Sequence, residues 1–181
     1  MATIFGHGLL GYTTGKIGLQ KPQVALLTLG IIFTKLPDLD VLGFFNGVSY
    51  DSPWGHRGFT HSIVFSFLSA ASASTFFKTR KKQTFLFLFL CMASHGLLDG
   101  LTDGGRGVAY FWPFSDARHF LPWRPIRVSP LGIQGFFSTW GYQVILSELL
   151  YVGLPCIIVL LVLPLFKNSR HGIESDTNTD R

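Results

Sequence analysis

Charge is what this sequence has least of. Only 14% of its 181 residues are Asp, Glu, Lys or Arg, against roughly a quarter in soluble globular chains. Hydrophobic residues make up 48% and the mean hydropathy is +0.36. Too little polar surface remains to cover a water-facing globule, so much of the apolar excess must face lipid. The same composition excludes disorder and coiled coil. Cysteine is nearly missing: Cys91 and Cys156 both fall inside apolar runs, where a thiol behaves as a small hydrophobe, so there is neither a disulfide framework nor a Cys pair for zinc. Without a phosphate-cradling glycine loop or a Gly-x-Ser-x-Gly elbow, nucleotide-binding and serine-nucleophile chemistry are disfavoured. No Lys or Arg precedes the first apolar stretch and no small-residue cleavage site follows it; the N-terminus is expected to stay on the mature chain. The net charge of +5 sits in short basic runs between apolar segments, which is a topology signal. No nucleic-acid partner is expected.

What the chain does have is aromatics, 18 Phe, 4 Trp and 5 Tyr, and uncharged apolar segments at about 4 to 15, 23 to 34, 63 to 77, 84 to 98 and 144 to 166. The last is comfortably long: Leu149 to Phe166 carries no charge and spans roughly 27 Å as a helix, against a hydrocarbon core of about 30 Å. The expected fold is all-α, a polytopic helical bundle in the bilayer, with the Phe-rich run at 85 to 90 against lipid. Lys78, Arg80, Lys81 and Lys82 make one basic connector and Lys167 with Arg170 another. Placing both in the cytoplasm also puts Lys16 and Lys21 inside and the N-terminus outside; Arg57, Arg106, Arg118, Arg124 and Arg127 run against this bias. The stretch from 104 to 143, with Trp112, Trp123 and Trp140 among four prolines, reads as an irregular lid along the outer surface. Residues 1–166 form the membrane-embedded domain and 167–181 a polar, disordered tail.

The ionisable residues collect at one rim. His7, Asp38, Asp40, His56, His61, His95 and Asp99 all fall at the outer ends of their segments. In a hairpin centred near Arg80, His61 lies about 19 residues before the turn and His95 about 15 after it, at nearly the same depth. His95 and Asp99, spaced i, i+4, project from one helix face and can hold one ion between them; the plainer alternative is a helix-terminal hydrogen bond. Pro37 ends the second segment and presents Asp38 and Asp40 in a turn. Two residues apart, they point in nearly opposite directions, so one binds an ion while the other caps a helix, orients a His or reaches a second ion. In His56-Arg57-Gly58-Phe59-Thr60-His61, Gly58 supplies backbone freedom and Thr60 a candidate cap. One His can ligate while the other serves as support or acid/base, and Arg57 can hold an anionic oxygen or a lipid headgroup. Asp103 shares the His95/Asp99 face if the helix continues. Glu148 is either a site residue or the partner of an outer-face Arg; His119 and His171 are weaker candidates. This nitrogen and oxygen set suits zinc, with manganese or iron as alternatives.

His7, the Leu36 to Asp40 turn, the Gly55 to Ser62 segment and the Ser94 to Asp99 run together resemble the YdjM family of membrane-bound, predicted metal-dependent hydrolases, over about residues 3 to 166. That family is in turn similar to the all-helical zinc-dependent phospholipase C enzymes. The resemblance implies His7, one Asp of the 38/40 pair, His56 or His61, and His95 with Asp99 as metal ligands. The second helical His-x-x-x-Glu pair of the phospholipases is missing, so one or two ions are expected rather than three. The function expected is therefore a metal-dependent hydrolase in the inner (plasma) membrane, its site on the non-cytoplasmic face and its substrate a phosphoester or lipid-linked molecule. His56 or Asp103 would relay protons and Arg57 would steady an anion. The rivals are a metal or ion transporter and a non-catalytic membrane protein with a structural metal.

Overall fold

The computed structural model describes residues 1–19, 23–130 and 132–176, apart from the side chains of Phe44, Ile133 and 167–176. Lys21 and the side chains of Lys167, Arg170 and His171 therefore lie outside the described residues. In chain order the helices are α1 (Ile4–Gly18), α2 (Val24–Phe33), α3 (Val41–Phe45), α4 (Ile63–Ser74), α5 (Lys81–Gly100), α6 (Ile133–Phe136), α7 (Thr139–Glu148) and α8 (Leu154–Asp176). Two 3-10 turns, Leu36–Asp40 and Phe59–His61, precede α3 and α4, and a π turn, Leu149–Gly153, joins α7 to α8. Among the described residues there is no strand, only the isolated bridges Thr102 to Ile126 and Val108 to His119.

Side-chain caps start the helices. Thr3 and Ser62 accept hydrogen bonds from Gly6 N and Phe65 N at the first turns of α1 and α4, satisfying amides that the helix itself leaves without partners. The cap of α4 is thus Ser62 rather than Thr60. Arg80, in the left-handed region at φ 56°, turns the chain from α4 into α5. Helix α5 is the central rod, packed against α1, α2 and α4. Glycines let these helices close up: a Cβ on Gly30 would lie 2.2 Å from Phe87 Cζ, and one on Gly11 2.6 Å from Thr34 Cγ2. Phe87, Leu88, Cys91 and Met92 fill the core against Leu19, Leu27 and Phe33. The run expected to face lipid is therefore divided by helical periodicity. Phe87 and Leu88 are buried, while Leu86 and Leu90 are exposed.

Of the five apolar segments, only the last forms a helix long and apolar enough to cross a membrane. It runs unbroken over 28 residues, Thr139–Phe166, starting five residues earlier than the hydrophobic run because the Ser138 side chain caps it at Gly141 N. Helices α2 and α4 are apolar but shorter. Helix α8 extends to Asp176, past the point where the polar tail begins in the sequence. The early start of α7, together with α6, shortens the irregular segment, which folds back over the C-terminal end of α5. Ile63 N donates to Tyr110 O, Tyr110 Oη to Gly96 O and Leu121 N to Gly100 O. Val108, Ala109 and Ile126 of this segment are buried. Large apolar side chains stand exposed on the outside, Phe76, Phe114 and Phe137 among them, as a chain with lipid for solvent requires.

Candidate metal centre

The site lies where the α4/α5 hairpin, the Leu36–Asp40 turn and the start of α1 meet. In a 3-10 turn successive residues rotate by about 120°, so Asp38 and Asp40 leave the turn in different directions, and they flank the His61 ring. Asp38 Oδ1 lies 3.8 Å from His61 Nε2 and Asp40 Oδ2 lies 3.1 Å from His61 Nδ1. The segment carrying His56 and His61 is tightly folded. Gly58 sits at φ −85°, so its role is close approach: a Cβ there would be 2.2 Å from Pro53 O. The left-handed residue is Arg57, at φ 63°.

Four donor atoms converge. His61 Nε2 and His95 Nε2 are 3.1 Å apart; Asp38 Oδ1 is 3.2 Å from His95 Nε2; Asp99 Oδ2 is 3.7 Å from His61 Nε2 and 3.9 Å from His95 Nε2. Asp38, His61, His95 and Asp99 form a group able to hold one metal ion. Four nitrogen and oxygen donors around a tetrahedral zinc, at bonds of about 2.0–2.1 Å, stand about 3.3–3.4 Å from one another. The separations here bracket that value.

Proton placement sharpens the fit. His95 Nδ1 is 2.6 Å from Thr34 O, an atom that can only accept, so Nδ1 carries the proton and Nε2 turns a lone pair inward. The Thr60 hydroxyl donates to Asp40 Oδ2 at 2.8 Å, so the His61 Nδ1 that meets Thr60 Oγ1 at 3.0 Å supplies the hydrogen there. The second Nε2 lone pair then also faces the centre. Asp38 Oδ1 and Asp99 Oδ2 are buried and have no hydrogen-bond partner, Asp99 Oδ2 being met only by the ion pair to Arg57 Nε at 3.0 Å. Two imidazole lone pairs and two carboxylate oxygens pointing at one another repel; Arg57 offsets this at Asp99 alone, and a cation among the four would relieve the rest.

Around this centre the remaining residues take separate parts. Asp40 accepts from His56 Nδ1 at 2.7 Å, Arg57 N at 3.1 Å and Thr60 Oγ1, besides facing His61 Nδ1. It orients His61 in the manner of the carboxylates behind metal-bound histidines. A second group of Asp40, His56 and His61 has ligand-like spacing, but there the acceptor capacity of Asp40 is already taken up. Burial opposes charge on Asp40, yet the hydrogen bonds from His56 and His61 outweigh it and hold the carboxyl below the usual carboxylate range. Burial keeps His61 below the usual imidazole range, in the neutral form that a metal needs. His7 flanks the group without joining it. Its ring stacks on His95 at 3.9 Å, its Nε2 is 3.7 Å from Asp99 Oδ1, and neither ring nitrogen has a hydrogen-bond partner.

Other expectations are corrected. Arg57 is fully buried, with Nη1 on Gly104 O and Nη2 on Thr102 Oγ1, each at 2.9 Å, and Nε 3.0 Å from Asp99 Oδ2. Its guanidinium therefore offsets the charge of Asp99 and reaches neither a substrate anion nor a headgroup. Asp103 is off the His95/Asp99 face, because α5 ends at Gly100 and the chain turns to pair with Ile126. There Asp103 accepts from Arg127 Nη1 and Val128 N, fixing the loop rather than serving the centre. Among the described residues Glu148 pairs with no Arg; it accepts from the backbone and hydroxyl of Thr3 at the start of α1. His119 is exposed and bonds through its backbone to Val108. Sequence reasoning gives no weight to Lys35, whose Nζ lies 2.5 Å from Asp38 Oδ2. The i, i+3 spacing was the available signal.

The comparisons with known proteins show the family of the chain. The sequence model described as YdjM inner membrane protein matches residues 1–170. Inner membrane protein YbcI of Escherichia coli (strain K12) is 41% identical over 165 residues, covering 88% of this chain and 95% of that protein. No solved structure matches. A match along nearly the whole length, taking in every residue of the His/Asp centre, identifies the chain as a member of the YdjM inner membrane protein family.

Proposed function

We propose that this chain is a metal-dependent hydrolase that crosses the inner membrane more than once and acts on a phosphoester or lipid-linked substrate at the non-cytoplasmic face. The observation that carries this reading is the set of four inward-facing donor atoms on Asp38, His61, His95 and Asp99, two of them buried oxygens without a hydrogen-bond partner. Zinc suits two imidazoles and two carboxylates; manganese or iron would accept the same set and add open positions. Asp38, His61, His95 and Asp99 would hold a divalent ion, which would supply Lewis acidity toward a water and an ester or phosphoryl oxygen. The protein's own groups do the rest. Asp40 and the Thr34 carbonyl fix both imidazole tautomers, and Arg57 and Ala2 N hold Asp99. His56, bonded to Asp40 and slightly exposed, is in line to pass protons between solvent and the Asp40/His61 pair. The basic Lys78 to Lys82 connector supports a cytoplasmic α4/α5 turn, which puts the opposite, metal-holding end outside.

A second reading, a structural metal, is favoured by one specific feature: four protein donors can close a tetrahedron without leaving an open position. Transport fits less well, since none of the four donors lies on the long Thr139–Phe166 helix. Metal analysis of the purified protein, paired with hydrolysis assays on a panel of phosphoesters and lipids, separates these. We expect about one ion per chain, with metal and turnover both lost in His95→Ala and Asp99→Ala. Metal retained with no turnover on any substrate would leave the structural reading; a metal-free wild type would remove both.

A further inference from the structure

Charge around the centre is unevenly placed. The buried carboxylates Asp38, Asp40 and Asp99 are matched by three cations, Arg57, Lys35 and the Met1 ammonium 3.9 Å from Asp99 Oδ1, so a divalent ion would turn the balance positive. A positively charged centre favours an anionic visitor. Most nearby cations are not available to meet one. Arg57 is wholly enclosed, the Met1 ammonium faces Asp99 Oδ1, Arg118 donates to the carbonyls of His56, Tyr50 and Ser52, and Arg106 and Arg127 are paired with Asp51 and Asp103, neither of which belongs to the four-donor group.

Lys35 differs. Its side chain is 22% exposed, and the Asp38 side chain at 9% is the least buried of the four donors, the other three standing at 0%. The centre therefore opens along the Lys35/Asp38 edge. The ammonium carries three donors, and among the described residues its one ion-pair partner is Asp38 Oδ2. That bond occupies the outer carboxylate oxygen and leaves Oδ1 facing inward.

From this juxtaposition we propose that Lys35 is the specificity-determining cation of the site, receiving an oxyanion of the substrate, so that the substrate class is phosphate-bearing esters rather than neutral ones. The inference rests on the metal-hydrolase reading and deepens it. The oxyanion can belong to a lipid headgroup or to a soluble phosphate compound, with the same chemistry at Lys35.

The test uses zinc-loaded full-length protein in detergent, comparing wild type, Lys35→Met and Lys35→Arg. Zinc content is measured first, then calorimetric binding of inorganic phosphate, of dihexanoyl phosphatidylglycerol and of dihexanoyl phosphatidylcholine. Zinc should remain bound in all three proteins. Phosphate binding should weaken roughly 10–100-fold in Lys35→Met, as for loss of one charge-assisted hydrogen bond, and recover in Lys35→Arg. A Lys35-dependent response to phosphatidylglycerol but not to phosphate or phosphatidylcholine identifies a lipid headgroup as the source and also supports the proposal. Equal anion affinity in wild type and a zinc-bearing Lys35→Met overturns the role of Lys35 and leaves the hydrolase reading standing. A wild type that holds no zinc removes the hydrolase reading and this inference with it.

Discussion

His61 is gripped through one ring nitrogen and offers the other. That division depends on Asp40, which gathers N–H and O–H groups from four residues of the segment from His56 to His61. Replacing Asp40 with Asn keeps the shape but turns half of the acceptor into a donor facing the His61 ring, so the tautomer with Nε2 free is no longer enforced. Metal affinity in Asp40→Asn should fall roughly 10–100-fold, the usual cost of losing the partner behind a ligating histidine, while about one ion per chain still binds at saturation. Chelator competition measures this. An unchanged affinity would show that the tautomer is set elsewhere. The same logic separates Asp40 from Asp38, whose inner oxygen has no partner of its own.

At the scale of elements, the site is as rigid as the crossing of α1, α2 and α5 beneath it. His7, Thr34 and His95 come from α1, the end of α2 and α5, and their relative heights are fixed by glycine contacts one turn further in. In the proposed multi-pass arrangement small residues matter at such crossings because lipid tails are as apolar as the side chains, and close packing supplies the association energy. Gly30→Ala would place a methyl 2.2 Å from Phe87 Cζ, and this overpacking should destabilise by about 1–3 kcal/mol. Gly18→Ala, with nothing within 4 Å, should be within about 1 kcal/mol of neutral. Thermal unfolding in detergent compares the two. Similar melting temperatures would show that the α1/α2/α5 contact carries little of the stability.

Across the whole molecule, charge is segregated. No acidic residue occurs between Ser52 and Leu98, while the basic connector at 78 to 82 lies between them, at the end of the α4/α5 hairpin remote from Asp99. In the proposed topology the positive-inside bias puts this end in the cytoplasm. Cysteines introduced at Lys78 and at Asp116, both exposed, should therefore label with a membrane-impermeant thiol reagent from opposite sides, Asp116→Cys in intact spheroplasts and Lys78→Cys only after lysis. The native thiols of Cys91 and Cys156 are buried and should stay quiet. Labelling of both from the same side would remove the proposed topology while leaving the centre itself untouched.

Much of this was readable in advance because it depends on local chemistry. The scarcity of charge, the apolar runs and the basic connector state that the chain lives in lipid, and the hairpin arithmetic around Arg80 puts His61 and His95 at one depth, as their 3.1 Å approach bears out. The helical pair of His95 and Asp99 needs only the pitch of a helix. What the pattern left open were choices made by neighbours distant in sequence. Asp38 and Asp40 are equivalent in a sequence, and only the packing of the Leu36–Asp40 turn against the α4/α5 end decides that one faces the centre and the other the back of His61. Arg57 is enclosed because the 101 to 130 segment folds over it, and Asp103 is drawn away because the backbone of that same segment pairs with it. Burial and hydrogen-bond partners are properties of the assembled chain. The residues of the centre were legible one by one, and their division of labour came from tertiary contact alone.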